Sequence, residues 1–189
     1  MIDIALKFLR DFLSQEIGNP LTTLGNITKD DDIEPGKIHL SLVHVEEEKI
    51  LKEVIHQRRV KPTDNFYTTI NPEIHLNLYI LVTYQYSGKN YAEALKQLGN
   101  VATVLQGKCV FTKPDFMNPA YEPLEQIVVD LYTQTLEQNN SMWQALGEKL
   151  SPSLLYKLRV VAIQANRALD TTGDVRAIGI DLQQKQFES

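Results

Sequence analysis

The run His75-Leu-Asn-Leu-Tyr-Ile-Leu-Val-Thr-Tyr-Gln-Tyr86 leaves this chain little choice of fold. It is rich in β-branched, aromatic and leucine side chains, with Pro72 ahead of it and Ser87-Gly88 behind it. That composition reads as a β-strand. Its centre, Leu78 to Val82, is apolar at consecutive positions. A strand with one wet face alternates, so a continuous apolar run predicts cover on both faces and a place inside a sheet.

Other segments supply the partners. Lys37 to Glu46 alternates as a strand, with Ile38, Leu40 and Leu42 on one face and His44 continuing it. His39, Ser41, Val43 and Val45 then share the opposite face. Leu124 to Thr133 and Leu154 to Ala165 read as further strands, and Leu21 to Ile27 and Cys109 to Phe111 as short ones. Residues 2 to 17 carry Ile2, Leu6, Leu9, Leu13 and Ile17 at helical spacing, and Gly18-Asn-Pro20 stops the helix. Tyr91 to Gly107 repeats the pattern through Leu95, Leu98, Ala102 and Leu105. A short helix capped by Asn139-Asn140-Ser141 is expected around Met142, Trp143 and Leu146, with Trp143 in the core. A short helical stretch is expected to end near Gln57, and residues 57 to 74 to form a long connection. The tail is polar around Asp170 to Asp174 and gains strand character from Val175 to Leu182. The predicted fold class is mixed α/β: one domain over residues 1–170, a mixed sheet flanked by helices, then a carboxy-terminal segment over 171–189.

Composition narrows the function. A formal net charge of -5 argues against a nucleic-acid binder. The one cysteine, Cys109, rules out an internal disulfide and any cysteine-based zinc site, and suits a small buried position. Apolar runs are too short to span a bilayer, and the first residues carry no signal-peptide pattern, so a cytoplasmic chain without membrane insertion is expected. The acidic run from Lys29 to Gly36 lacks the ligand spacing of a calcium loop. His39 and His44, five residues apart on one strand, are expected on opposite faces and bind no metal together. The glycines form no phosphate-binding pattern, and there is no nucleophile elbow or zinc-protease motif. The chain is therefore expected to be no enzyme and to hold no cofactor. The density of Arg58, Arg59 and Lys61 in an otherwise acidic protein marks them as candidates for contact with a partner.

Four stretches, in order, resemble one family. They are Met1-Ile-Asp-Ile-Ala-Leu-Lys-Phe-Leu9; Leu40-Ser-Leu-Val-His-Val-Glu-Glu-Glu48; Leu76-Asn-Leu-Tyr-Ile-Leu-Val-Thr83 followed by Tyr91-Ala-Glu-Ala-Leu-Lys-Gln-Leu-Gly99; and Trp143-Gln-Ala-Leu-Gly147 followed by Leu150-Ser-Pro-Ser-Leu-Leu-Tyr-Lys-Leu-Arg-Val160. Together they resemble the cap, or tube-terminator, protein of extracellular contractile injection systems, of the antifeeding-prophage and Photorhabdus virulence cassette kind. The resemblance implies a phage tail-terminator-like fold and a structural role. It implies a ring, six-fold, at the baseplate-distal end of a phage tail-like particle. Its partners would be further copies of itself, the inner tube protein and the contractile sheath protein. It supplies no catalytic residues, and the chain stops soon after the family's core domain, so further partner-binding extensions are expected to be absent. Val175, Ile178, Ile180 and Leu182, beyond the core pattern, are candidates for contact with a neighbouring subunit or with sheath. An adaptor or assembly chaperone is the alternative; a ligand-binding domain or enzyme would need convergent polar groups that the residues do not supply.

Overall fold

The computed structural model describes residues 1–18, 22–27, 35–48, 56–59, 66–70, 74–86, 90–163 and 168–173. In chain order its elements are α1 (Ile2–Ile17), β1 (Thr22–Leu24), β2 (Ile38–Glu47), β3 (His56–Arg59), β4 (Phe66–Ile70), β5 (Ile74–Tyr84), α2 (Tyr91–Gly107), β6 (Val110–Thr112), β7 (Gln126–Leu131), α3 (Leu136–Leu146), β8 (Ser153–Ile163) and β9 (Ala168–Gly173). They fall into two compact units, residues 1–52 with 74–163, and residues 53–73 with 164–189.

The larger unit holds a six-stranded sheet in the order β1-β2-β5-β8-β7-β6. β1 runs parallel to β2, and every other neighbouring pair is antiparallel. β5 is bonded along both edges, from Leu40↔Val82 on the β2 side to Val82↔Leu154 on the β8 side. Its consecutive apolar residues are therefore explained. Leu78, Ile80 and Val82 point to one face, Leu81 to the other, and all four are fully buried. The strands expected at 37–46, 75–86, 124–133 and 154–165 are all in this sheet, with 124–133 trimmed to six residues.

Helices α1 and α2 cover the first face. α1 buries Ala5, Phe8, Leu9 and Leu13, and α2 buries Ala94, Leu98, Val101 and Leu105. Beneath them lie Ile38, Leu40, Leu78, Ile80, Ile127, Val129, Leu158 and Phe111 in one apolar cluster. Phe8 meets Phe111, Phe116 and Tyr121 edge-on, with centroids 5.1, 4.8 and 5.4 Å apart. Gly18 ends α1 at φ 76, in the left-handed region that a glycine enters freely, and its N–H donates to Ser14 O.

Several expectations need correction. Residue Val43 is extra: Leu42 pairs with Ile80 and His44 with Tyr79. This β-bulge resets the alternation, so His44 rejoins the face of His39 and Ser41, and Val45 the face of Leu40. Among the described residues no group of three histidine, cysteine or acidic side chains is placed to hold a metal. Cys109 lies between α2 and β6 as expected but is exposed. Glu46 and Glu47 are still in β2 and Gln57 is in β3, so none of the three belongs to a helix; residues 49–55 lie outside the described ones. The connection expected over 57–74 contains β3 and β4, an antiparallel pair extended by β9 into a three-stranded sheet. Phe66-Tyr-Thr-Thr-Ile70 carries ample β-propensity for that pairing. The polar tail at Asp170–Gly173 is part of β9. Asn139 to Ser141 sit inside α3, not at its start. Thr135 caps the helix, accepting from the Gln138 N–H at 3.2 Å while Gln138 Oε1 accepts from the Thr135 N–H at 3.0 Å.

Candidate interaction surfaces

The second face of the six-stranded sheet is built differently along its length. β7 and β8 are antiparallel neighbours, a pair that a two-residue turn can join. Here residues 132–152 intervene and carry α3 across the sheet. α3 buries one side chain, Trp143, against Ile27, Tyr79, Leu81 and Leu155. Val43, Met142 and Leu146 are half-buried around it. An open cleft of about 530 Å³ lies along one side of α3 where it meets the sheet, walled by His44, Tyr79, Tyr132, Met142, Leu146 and Leu155. A smaller one of about 250 Å³ shares Tyr132, Met142 and Leu155 and reaches Leu81 and Leu136.

Beyond α3 the same face is polar. Lys157 and Arg159 project from β8 at a spacing of two. Lys157 Nζ stands 3.5 Å from Glu46 and 4.0 Å from Glu48, and Arg159 Nη2 donates to Asp130 at 2.8 Å. Asn77, itself buried, donates to Glu46 at 3.3 Å and to Glu48 at 3.0 Å. The Tyr79 hydroxyl donates to Glu46 at 2.7 Å, and the Lys157 ammonium lies 5.8 Å from the Tyr79 ring centre. The Tyr79 hydrogen bond, aided by Lys157 and Asn77, holds the Glu46 carboxyl below its ordinary range. Burial, then the Glu46 carboxylate, pushes the Tyr79 phenol up. Both shifts lead away from neutrality. The pair thus keeps a carboxylate hydrogen-bonded by a neutral phenol across the strands.

A third surface lies along α1. Asp11 accepts from Arg10 at 2.7 Å and also from the Tyr121 hydroxyl, which burial and the carboxylate together push up to about 12. Lys108 pairs with Asp115 and lies 5.4 Å from the Phe111 ring centre; its hydrogen bond holds the Asp115 carboxyl low. Between these groups is a groove of about 400 Å³ lined by Phe12, Gln15, Pro114 and Met117, the last 90% exposed.

Of the residues predicted to meet a partner, Arg58 and Arg59 lie on β3, paired with Thr68 and Tyr67 of β4. Lys61, Val175, Ile178, Ile180 and Leu182 lie outside the described residues. The polar network on the second face and the Asp11–Tyr121 bond escaped the sequence reading. The first left a signal in the alternation Tyr156-Lys-Leu-Arg-Val160. The second, between residues 110 apart, left none.

Residues 5–177 match the family described as the Pvc16 N-terminal domain. No curated protein matches the chain. Among solved structures, the cryo-EM structure of a PVC sheath/tube terminator in the extended state, from an extracellular contractile injection system, aligns with a TM-score of 0.69 at 15% identity. That alignment covers 100% of this chain and 65% of the other. The anti-feeding prophage cap, described as a tube-terminating cap, aligns with a TM-score of 0.66 at 14% identity, over 96% of this chain and 61% of the other. This chain thus spans less than two thirds of the length of either structure, and the likeness is one of fold. No described helix is long and apolar enough to cross a membrane.

Proposed function

The chain belongs to the Pvc16 N-terminal domain family, and from that membership we propose that it caps the baseplate-distal end of a contractile injection particle. It would terminate the inner tube and anchor the last layer of sheath. The observation that carries this reading is the likeness of the entire chain, at a TM-score of 0.69, to a sheath/tube terminator. The work is geometric. A growing tube exposes the same end surface after each added ring, so addition by a contact that does not close is open-ended. A terminating ring matches tube and sheath on one side and presents a different surface on the other. That role needs no catalytic group and no cofactor. The partners are further copies of this chain in a six-fold ring, the inner tube protein and the sheath protein. The particle assembles in the cytoplasm, without nucleic acid and without insertion into a membrane.

Arg58, Arg59 and Lys61 are the proposed contact to an acidic partner surface. Reversing all three to Glu should weaken ring or particle assembly and leave the circular dichroism spectrum of the protomer unchanged. Normal assembly by the triple variant would remove them from the interface. The segment beyond Gly173, with Val175, Ile178, Ile180 and Leu182, is the proposed contact to a neighbour or to sheath. The reading as a whole is tested in particles from cells lacking the chain. Tubes of uncontrolled length or unstable sheaths on intact baseplates are expected, and particles of normal length with retained sheath would refute it.

A further inference from the structure

We propose that α3 is a flap: it detaches from the second face of the sheet as a unit while the six-stranded sheet stays folded. The inference concerns the protomer itself and does not depend on the capping role.

The topology makes α3 dispensable to the sheet. The ladder between β7 and β8 runs from Ile127↔Val160 to Leu131↔Tyr156, and the Tyr132 N–H prolongs it by donating to Leu155 O at 2.8 Å. Everything that joins the two strands is in place before the segment leaves for α3. A long insertion between bonded neighbours is a surface addition, not a structural link.

The packing under α3 is thin. α1 and α2 each bury an apolar stripe of four residues or more, whereas α3 buries Trp143 alone. Open clefts of about 530 and 250 Å³ run beside it, so Met142 and Leu146 are only half-buried at their edges. The indole N–H of Trp143 is buried with no hydrogen-bond partner among the described residues. That donor regains a partner from water when the helix lifts, which offsets part of the cost of exposing apolar surface. The bonds at the ends of α3 close within the segment. Thr135 and Gln138 cap each other, and the Gly147 N–H donates to Gln144 O at 3.1 Å, with Gly147 at φ 75. Lifting the helix breaks none of them.

The outer side of α3 is polar but almost uncharged, with Gln138, Asn140, Ser141 and Gln144 exposed. Glu137 is its one charged residue, and Leu136 is 83% exposed. Leu131, just before the insertion, and Leu150, near its end, are exposed as well. Detachment would bare Tyr79, Leu81 and Leu155 and convert a filled face into an apolar floor. Opening of a weakly packed unit below the global transition is an ordinary property of folded chains.

Trp143 is the only tryptophan in the sequence, so its emission reports α3 and nothing else. The experiment uses the unmodified chain in a urea series, following tryptophan emission and iodide quenching beside far-ultraviolet circular dichroism, with amide exchange by mass spectrometry in the absence of urea. The expected result is an emission shift and a rise in quenching at urea concentrations where the circular dichroism is still native. Peptides over 137–146 should also exchange at least tenfold faster than peptides over 76–84. Emission and circular dichroism curves that superimpose, or equal protection of the two sets of peptides, would overturn the proposal. Either readout suffices, and neither depends on a variant that folds.

Discussion

The two faces of the six-stranded sheet use the same strands to opposite ends. On the first, two long helices press Phe8, Leu9, Leu98 and Val101 onto a continuous apolar cluster in which most members are nearly inaccessible. On the second, one indole holds a short helix over part of the sheet, and the remainder carries Lys157, Glu46, Asn77 and Tyr79. Close packing resists change, because removing atoms leaves a cavity and adding them forces strain. Thinner packing and a part-buried polar network hold the second face with fewer apolar contacts. The contrast teaches that packing is divided unequally between faces: the first carries the larger continuous core, and the second a small cluster around Trp143 beside a polar network.

That division can be broken by substitution, and the severest test is Leu78→Asp. Leu78 is fully buried on the first face in the central strand. An unpaired carboxylate there costs several kcal/mol, roughly the whole margin of a domain. No soluble folded protein is expected, and a folded variant with near-native urea stability would deny that the first face carries the fold.

A paired measurement sharpens the comparison. Phe111→Ala, on the first face, should cost about 3–5 kcal/mol, the usual loss for an aromatic in a packed core. Trp143→Ala, on a helix with one buried side chain beside open clefts, should cost less than about 3 kcal/mol and leave the sheet's circular dichroism intact. Equal losses from urea denaturation would mean that both faces are packed alike.

The smallest effect expected comes from Tyr121, where α1 meets the 3-10 turn at Pro119–Tyr121. Its hydroxyl donates to the part-exposed Asp11 carboxyl, so Tyr121→Phe should cost on the order of 1 kcal/mol. The folded-state pKa is raised, from 10.0 to about 12, by burial first and by Asp11 second. The phenol's contribution is therefore fully present below pH 10 and is lost as the pH climbs toward 12. The stability gap between wild type and variant should close over that interval. A gap that stays constant from pH 9 to 12 would place the stabilising bond elsewhere.

How far these features could be read from residues alone follows the range of the interaction involved. β5 is legible because its cover on both faces is written into consecutive positions, Leu78 to Val82. α1 and α2 are legible from helical spacing, and the burial of Trp143 from its apolar neighbours on a short helix. The face of His44 is not, because one inserted residue, Val43, reverses the alternation and has no local marker. β3 and β4 are hidden by Arg58, Arg59, Lys61 and Pro62, which read as a loop beside the strand-forming Phe66 to Ile70. The cap at Thr135 is a local signal, Thr-x-x-Gln, obscured by the asparagines that follow. The polar network on the second face depends on which strands lie side by side. β8 brings Lys157 to Glu46 only because β5 lies between β2 and β8, an order that no single segment states.

The central claim is that this chain ends a tube, and the most direct test supplies it to a tube that is growing. Purified inner tube protein is polymerised with increasing amounts of the chain, and lengths are measured by electron microscopy with the chain labelled at its amino terminus. Mean length should fall as the chain is added, with label at one end of each tube. Unchanged lengths, with label absent from the ends or spread along the walls, would contradict the claim.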